Sequence, residues 1–93
     1  MLATLEAKEG KEKEVEEFLK SGLEIVMDEL DTIAWFPVKM GPPTYGIFNA
    51  FPDDKGREAH LAGRVAEALM AKAPDLLSAS PDIKKLDVLA AKL

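Results

Sequence analysis

The chain has 93 residues, with 12 Lys and Arg against 17 Asp and Glu, one His, no Cys and a net charge of −5. That length makes one domain, and the acidity argues against nucleic acid and against an anionic membrane surface, both of which call for clustered Lys and Arg. Without Cys there is no disulfide, no thiol catalysis and no cysteine metal site, and a reduced, cytoplasmic setting fits.

The first residues, MLATLEAKEGKEKE, lack a basic start followed by an apolar run and do not read as a signal peptide. No apolar stretch approaches the roughly 20 residues that span a bilayer. Met1 to Ala7 is apolar-rich, contains Thr4 and reads as a first strand, which Glu9-Gly10 breaks. From Lys11 the apolar residues fall at Val15, Phe18, Leu19, Leu23, Val26 and Leu30, the spacing of one helical face. The charged residues from Lys11 to Lys20 form its solvated face. There Glu9–Lys13 and Glu16–Lys20 stand at i,i+4 and add about 0.2–0.5 kcal/mol each. Thr32 to Lys39, TIAWFPVK, is β-branched and aromatic and reads as the second strand. Pro37 cannot donate to a ladder, which points to an edge, a bulge or a bend. Met40-Gly41-Pro42-Pro43 is a turn by composition, and Thr44 to Phe51 is a third strand antiparallel to the second. Pro52 ends it, and Asp53 or Asp54 caps the next helix. That helical region runs from Asp54 to about Lys72, and Gly63 predicts a kink or a break into two shorter helices. Pro74 starts a last turn before the loop Ala79-Ser80-Pro81. Ile83 to Leu93, where Leu86, Val88 and Ala90 alternate, reads as the fourth strand.

The order β-α-β-β-α-β is the ferredoxin-like, split-βαβ pattern: an α+β protomer with an antiparallel four-stranded sheet and its helices on one face. In the third strand Tyr45, Ile47 and Phe51 take one side, and Phe48 and Ala50 the other. In the second strand Ile33 and Trp35 oppose Ala34, Phe36 and Val38. Both faces are apolar, so the face without helices would lie open to water, and a second copy packed sheet against sheet is its simplest cover. The expectation is a homodimer through the sheet face.

The element order, the two apolar faces and the segment from Tyr45 to Leu61, YGIFNAFPDDKGREAHL, together resemble the antibiotic biosynthesis monooxygenase family of dimeric α+β barrels. The aromatic strand, the turn and the helix carrying Ala59-His60-Leu61 are its most recognisable piece. The resemblance covers essentially the whole chain and implies that residues 1–93 form one such barrel domain. It further implies oxidation of quinol- or anthrone-like aromatics by molecular oxygen, with no metal or flavin cofactor. The chain departs from the family pattern in the third strand, where many relatives carry an acidic residue and, two positions on, a Trp; Asn49 and Phe51 hold those positions here. The second His that often follows the Ala-His-Leu segment is also missing, with Arg64-Val65 in that region.

Cofactor-free oxygenation needs a base to make the substrate electron-rich, fixed donors for the developing anion, and an apolar wall. His60 is the base candidate, imidazole being the side chain that exchanges protons near neutrality. Asn49 and Tyr45, on one strand face, are the donor candidates, and Trp35, Phe36 and Phe51 are candidates for the substrate-binding wall. Each has a plainer reading. On an unbroken helix His60 points into solvent, away from the face of Ala62 and Leu69, and only a break at Gly63 turns it to the sheet. Tyr45 reads equally as a core ring, Asn49 as an amide satisfied by backbone or by the dimer mate, and the aromatics as core or interface. Arg57 and Arg64 flank the break, either as contacts for an anionic ligand or as salt-bridged surface residues. One His and no Cys leave no zinc, copper or iron site. Gly41 is followed by Pro42-Pro43, which removes the N–H groups a phosphate loop needs. The sequence therefore reads as a cofactor-independent monooxygenase-like protein acting on a small aromatic or quinol, with a non-catalytic barrel binding a small apolar metabolite as the alternative.

Overall fold

A computed structural model describes residues 1–92. They form β1 (Leu2–Glu6), α1 (Glu12–Val26), β2 (Ala34–Lys39), β3 (Thr44–Ala50), α2 (Asp54–Leu61), α3 (Arg64–Leu76) and β4 (Asp82–Lys84). The strands make one antiparallel sheet in the order β2-β3-β1-β4, the ferredoxin-like α+β arrangement that the element order implies. Edge strand β2 holds Pro37, whose missing N–H leaves no gap in an interior ladder.

Strand alternation decides which residues meet the helices. Ala3 and Leu5 on β1 and Ala7 just after it, Tyr45 and Ile47 on β3, and Trp35 on β2 are buried on the helical side. Val15, Leu19 and Val26 of α1 and Val65, Leu69 and Leu76 of α3 close over them. Gly22 lies mid-helix, where glycine costs about 1 kcal/mol relative to alanine. Its place is explained by the Trp35 indole, since a Cβ there would stand 3.0 Å from Cη2. The opposite sheet face carries Phe36 and Val38, which are 53% and 41% exposed, beside Phe48 and Leu2.

Three expectations are revised. The first helix stops at Val26 rather than running to Leu30, which is exposed in the loop that follows. Helix α3 continues through Pro74 to Leu76, and it is held at that end by the Lys8 N–H to Leu76 carbonyl bond of 2.8 Å and by Lys8 Nζ on the Pro74 carbonyl. The fourth strand is Asp82–Lys84 only, not Ile83 to Leu93. Its register pairs Lys84 with Leu2, so beyond it β1 has no more strand to offer and residues 85–92 run without regular structure; Leu93 lies outside the described residues. Among the described residues no helix is long and apolar enough to cross a membrane.

Candidate active site

Helix α2 is short, and that shortness places His60. Asp53 caps it, its Oδ1 accepting from the Gly56 N–H at 2.9 Å, which settles the choice between Asp53 and Asp54. The chain leaves the helix after Leu61 and restarts at Arg64 with Gly63 as the new N-cap. Each helix can then present its own face. On α2 the buried positions are Gly56 and His60, one turn apart. Gly56 permits the close approach, since a Cβ there would lie 3.1 Å from Asp31 Cβ and 3.3 Å from Phe51 Cβ.

His60 is 6% exposed and sits in the middle of a polar row. Its Nδ1 donates to Glu29 Oε1 at 2.6 Å, because a carboxylate can only accept. That bond fixes the Nδ1–H tautomer, in which Nε2 accepts; the Asn49 amide Nδ2 lies 3.4 Å from it. Thr32 Oγ1 also donates to Glu29 Oε1, at 2.9 Å. The Phe51 ring covers the imidazole with centroids 5.3 Å apart. Asn49 is 1% exposed, and its backbone N–H and carbonyl both bond to Met1, at 3.0 and 2.8 Å. A residue that spends both groups on one neighbour forms the closer, non-hydrogen-bonded pair with the other. That neighbour is Trp35. Asn49 Oδ1, Trp35 Nε1 and Glu29 Oε2 are buried without a protein partner. Such groups mark a place where water or a ligand completes the set.

The Glu29–His60 end of the row borders a cavity of about 400 Å³ between the loop after α1 and the α2–α3 break, while Asn49, Trp35 and Phe51 lie behind His60 and do not line it. Ile25, Leu30 and Ala59 supply apolar wall, and Glu29, Thr32 and His60 supply polar wall. The volume lies in the range that takes a small aromatic molecule.

The structure thus brings together His60, Asn49, Trp35 and Phe51, and it leaves Tyr45 and Phe36 elsewhere. Tyr45 shares the strand face of Asn49 but stands four residues away, about 13 Å at the usual rise. Its hydroxyl donates to Glu16 Oε2 at 2.7 Å, beside Lys39 Nζ, 3.2 Å from the same oxygen. That hydrogen bond to a carboxylate, with burial second, pushes the Tyr45 phenol up to about 12. Phe36 points to the helix-free face, as its pairing with Phe48 requires. Arg57 pairs with Asp54 at 3.1 Å, whereas Arg64 lines the cavity. The residue that sequence reasoning missed is Glu29. Its signal was present: Asp28-Glu29-Leu30-Asp31 follows the C-terminal end of α1, where the helix dipole disfavours carboxylates.

No protein-family model matches the chain, and no curated protein matches it. Among solved structures, NE2512 from Nitrosomonas europaea, a protein of unknown function, is 51% identical over 99% of this chain and 89% of NE2512, with a TM-score of 0.97. The chain belongs to the NE2512 family. Two further structures share the fold of this NE2512-family chain at lower identity. PA3566 from Pseudomonas aeruginosa is 19% identical over 96% of this chain and 91% of its own, with a TM-score of 0.80. A "Putative antibiotic biosynthesis monooxygenase" from Bacteriodes thetaiotaomicron is 18% identical over 99% and 90%, with a TM-score of 0.78. At such identities the likeness is one of fold, and a fold by itself hosts many activities.

Proposed function

We propose that this chain is a cofactor-independent, monooxygenase-like protein that oxidises a small aromatic or quinol with molecular oxygen in the cavity beside His60. The observation that supports it is the Asn49–His60–Glu29 row, whose His60 and Glu29 line a cavity of small-ligand size. A fold neighbour bearing the name of an antibiotic biosynthesis monooxygenase agrees with it. In this reading an anthrone-like substrate, in its enol form, gives its hydroxyl proton to His60, which Glu29 holds in position. The anion passes one electron to O2, and the resulting pair combines to form a carbon–oxygen bond. The peroxide anion so formed takes back the proton from His60, and the resulting hydroperoxide loses water to leave a carbonyl. One oxygen atom ends in the product and one in water, and the substrate supplies all four electrons. In this reading Asn49 Nδ2, 3.4 Å from His60 Nε2, is the donor for the developing oxyanion; Asn49, Phe51 and Trp35 stand behind His60 rather than in the cavity lining.

The same reading takes the protein as a homodimer through the sheet face, supported by exposed Phe36, Val38 and Met40 on or beside that face. A second function, a non-catalytic barrel that binds a small apolar metabolite, is favoured by one observation: the Asn49 amide already faces His60 Nε2. Oxygen uptake by the metal-free protein against hydroquinones and anthrones separates the two. Uptake that is lost in His60→Ala and Asn49→Ala supports the oxygenase. Ligand binding with no uptake across the panel moves the assignment to the non-catalytic barrel.

A further inference from the structure

The charges and hydrogen-bond directions around the cavity say what kind of aromatic it takes, given the reading of that cavity as the substrate site. Three carboxylates, Asp28, Glu29 and Asp31, line it against one guanidinium, Arg64. Among the described residues neither Asp28, Asp31 nor Arg64 joins an ion pair, so two net negative charges face whatever enters. The wall is also unbalanced in hydrogen bonding. Thr32 Oγ1–H and His60 Nδ1–H are both spent on Glu29 Oε1. Glu29 Oε2 is left with no donor in the chain. An acceptor left in that state costs about 1–3 kcal/mol; Oε2 is itself buried, so a donor on a ligand recovers that cost by drawing the carboxylate round to the cavity.

We propose that this cavity selects neutral or cationic aromatics that carry a hydroxyl or amine, which donates to Glu29 Oε2, and that it rejects carboxylated or sulfonated ones. Glu29 is then a ligand contact as well as the partner of His60, while Asp28 and Asp31 set the charge preference. Apolar contact comes from Ile25, Leu30 and Ala59.

The test is calorimetric binding of three probes of one shape: 1-naphthol, 1-methoxynaphthalene, which lacks the donor, and 1-naphthoate, which adds a negative charge. The unaltered protein should bind 1-naphthol roughly tenfold more tightly than 1-methoxynaphthalene, the worth of a hydrogen bond to a charged acceptor. It should prefer 1-naphthol to 1-naphthoate by a similar factor, roughly tenfold for two net charges about 7 Å away in a water-like dielectric. Glu29→Gln should narrow the first gap, and the double change Asp28→Asn with Asp31→Asn the second. Equal binding of naphthol and methoxynaphthalene, naphthoate binding as well as naphthol, or no binding of any probe overturns the proposal. If Glu29→Gln does not fold, the ranking of probes on the unaltered protein decides alone. Binding in the expected order without oxygen uptake upholds this inference and removes the oxidation reading.

Discussion

Tyr45 is the one tyrosine of the chain, so its ionisation can be followed directly through the near-ultraviolet absorbance of tyrosinate. Its hydroxyl donates to Glu16 Oε2 at 2.7 Å, and this bond, with burial behind it, raises the phenol from 10.0 to about 12. The same bond, followed by the one from Lys39, holds the Glu16 carboxyl below its usual 4.5. Glu16→Gln removes the negative charge and with it the largest cause of the Tyr45 shift. The tyrosinate midpoint should therefore fall from about 12 towards 10.0. Linkage gives the accompanying stability profile. Because the folded Tyr45 value is raised, its contribution is complete below 10.0 and is lost as pH rises through about 12. Because the folded Glu16 value is lowered, its contribution is present above 4.5 and is lost as pH falls through the depressed value. The Tyr45–Glu16 bond is the largest cause of both limbs, so Glu16→Gln should lower stability evenly between them and flatten the decline at either end. The titration is read with circular dichroism alongside, so that only the folded protein is scored. A midpoint near 10.0 in the folded, unaltered protein, or no movement on Glu16→Gln, would refute the reasoning.

Gly22→Val drives a branched side chain into the Trp35 indole, which lies 3.0 Å from the position of a Cβ. The cost of overpacking is about 1–3 kcal/mol, read as a lower urea midpoint, and an unchanged midpoint would show that the indole moves aside freely. Phe36→Asp puts a charge on the apolar sheet face that the proposed dimer buries. Sedimentation should give a mass near twice 10.1 kDa for the unaltered protein and near 10.1 kDa for the variant; an unaltered protein at 10.1 kDa removes the dimer.

What was legible in the sequence was what depends on near neighbours. The α1 stripe at Val15, Leu19 and Val26, the break at Gly63, and the alternation that sets Tyr45, Ile47 and Asn49 on one face all follow from the period of the backbone. The extent of the fourth strand did not follow, because Lys84 is its last paired residue for a reason that lies at Leu2, far away in the chain. The grouping of Tyr45 with Asn49 failed for a related reason: a shared face says nothing about distance along the strand. Glu29 was hidden by a separation of 31 residues from His60, yet it lay in a run whose chemistry was wrong for its place.

That misfit points beyond this one residue. A carboxylate at the negative end of a helix costs about 0.3–1 kcal/mol, and Asp28, Glu29 and Asp31 all follow the end of α1, whose last turn carries no basic residue. Local physics would remove such a cluster unless something distant opposes it. For Glu29 the opposing groups are the His60 Nδ1–H at 2.6 Å and the Thr32 hydroxyl at 2.9 Å. For Asp28 and Asp31 no ion pair occurs among the described residues, and both face the cavity. Both are exposed, so water solvates them, and their charges act on what enters by favouring a hydrogen-bond donor or a cation over an anion. Local inconsistency of this kind is where a functional site differs from the scaffold that carries it.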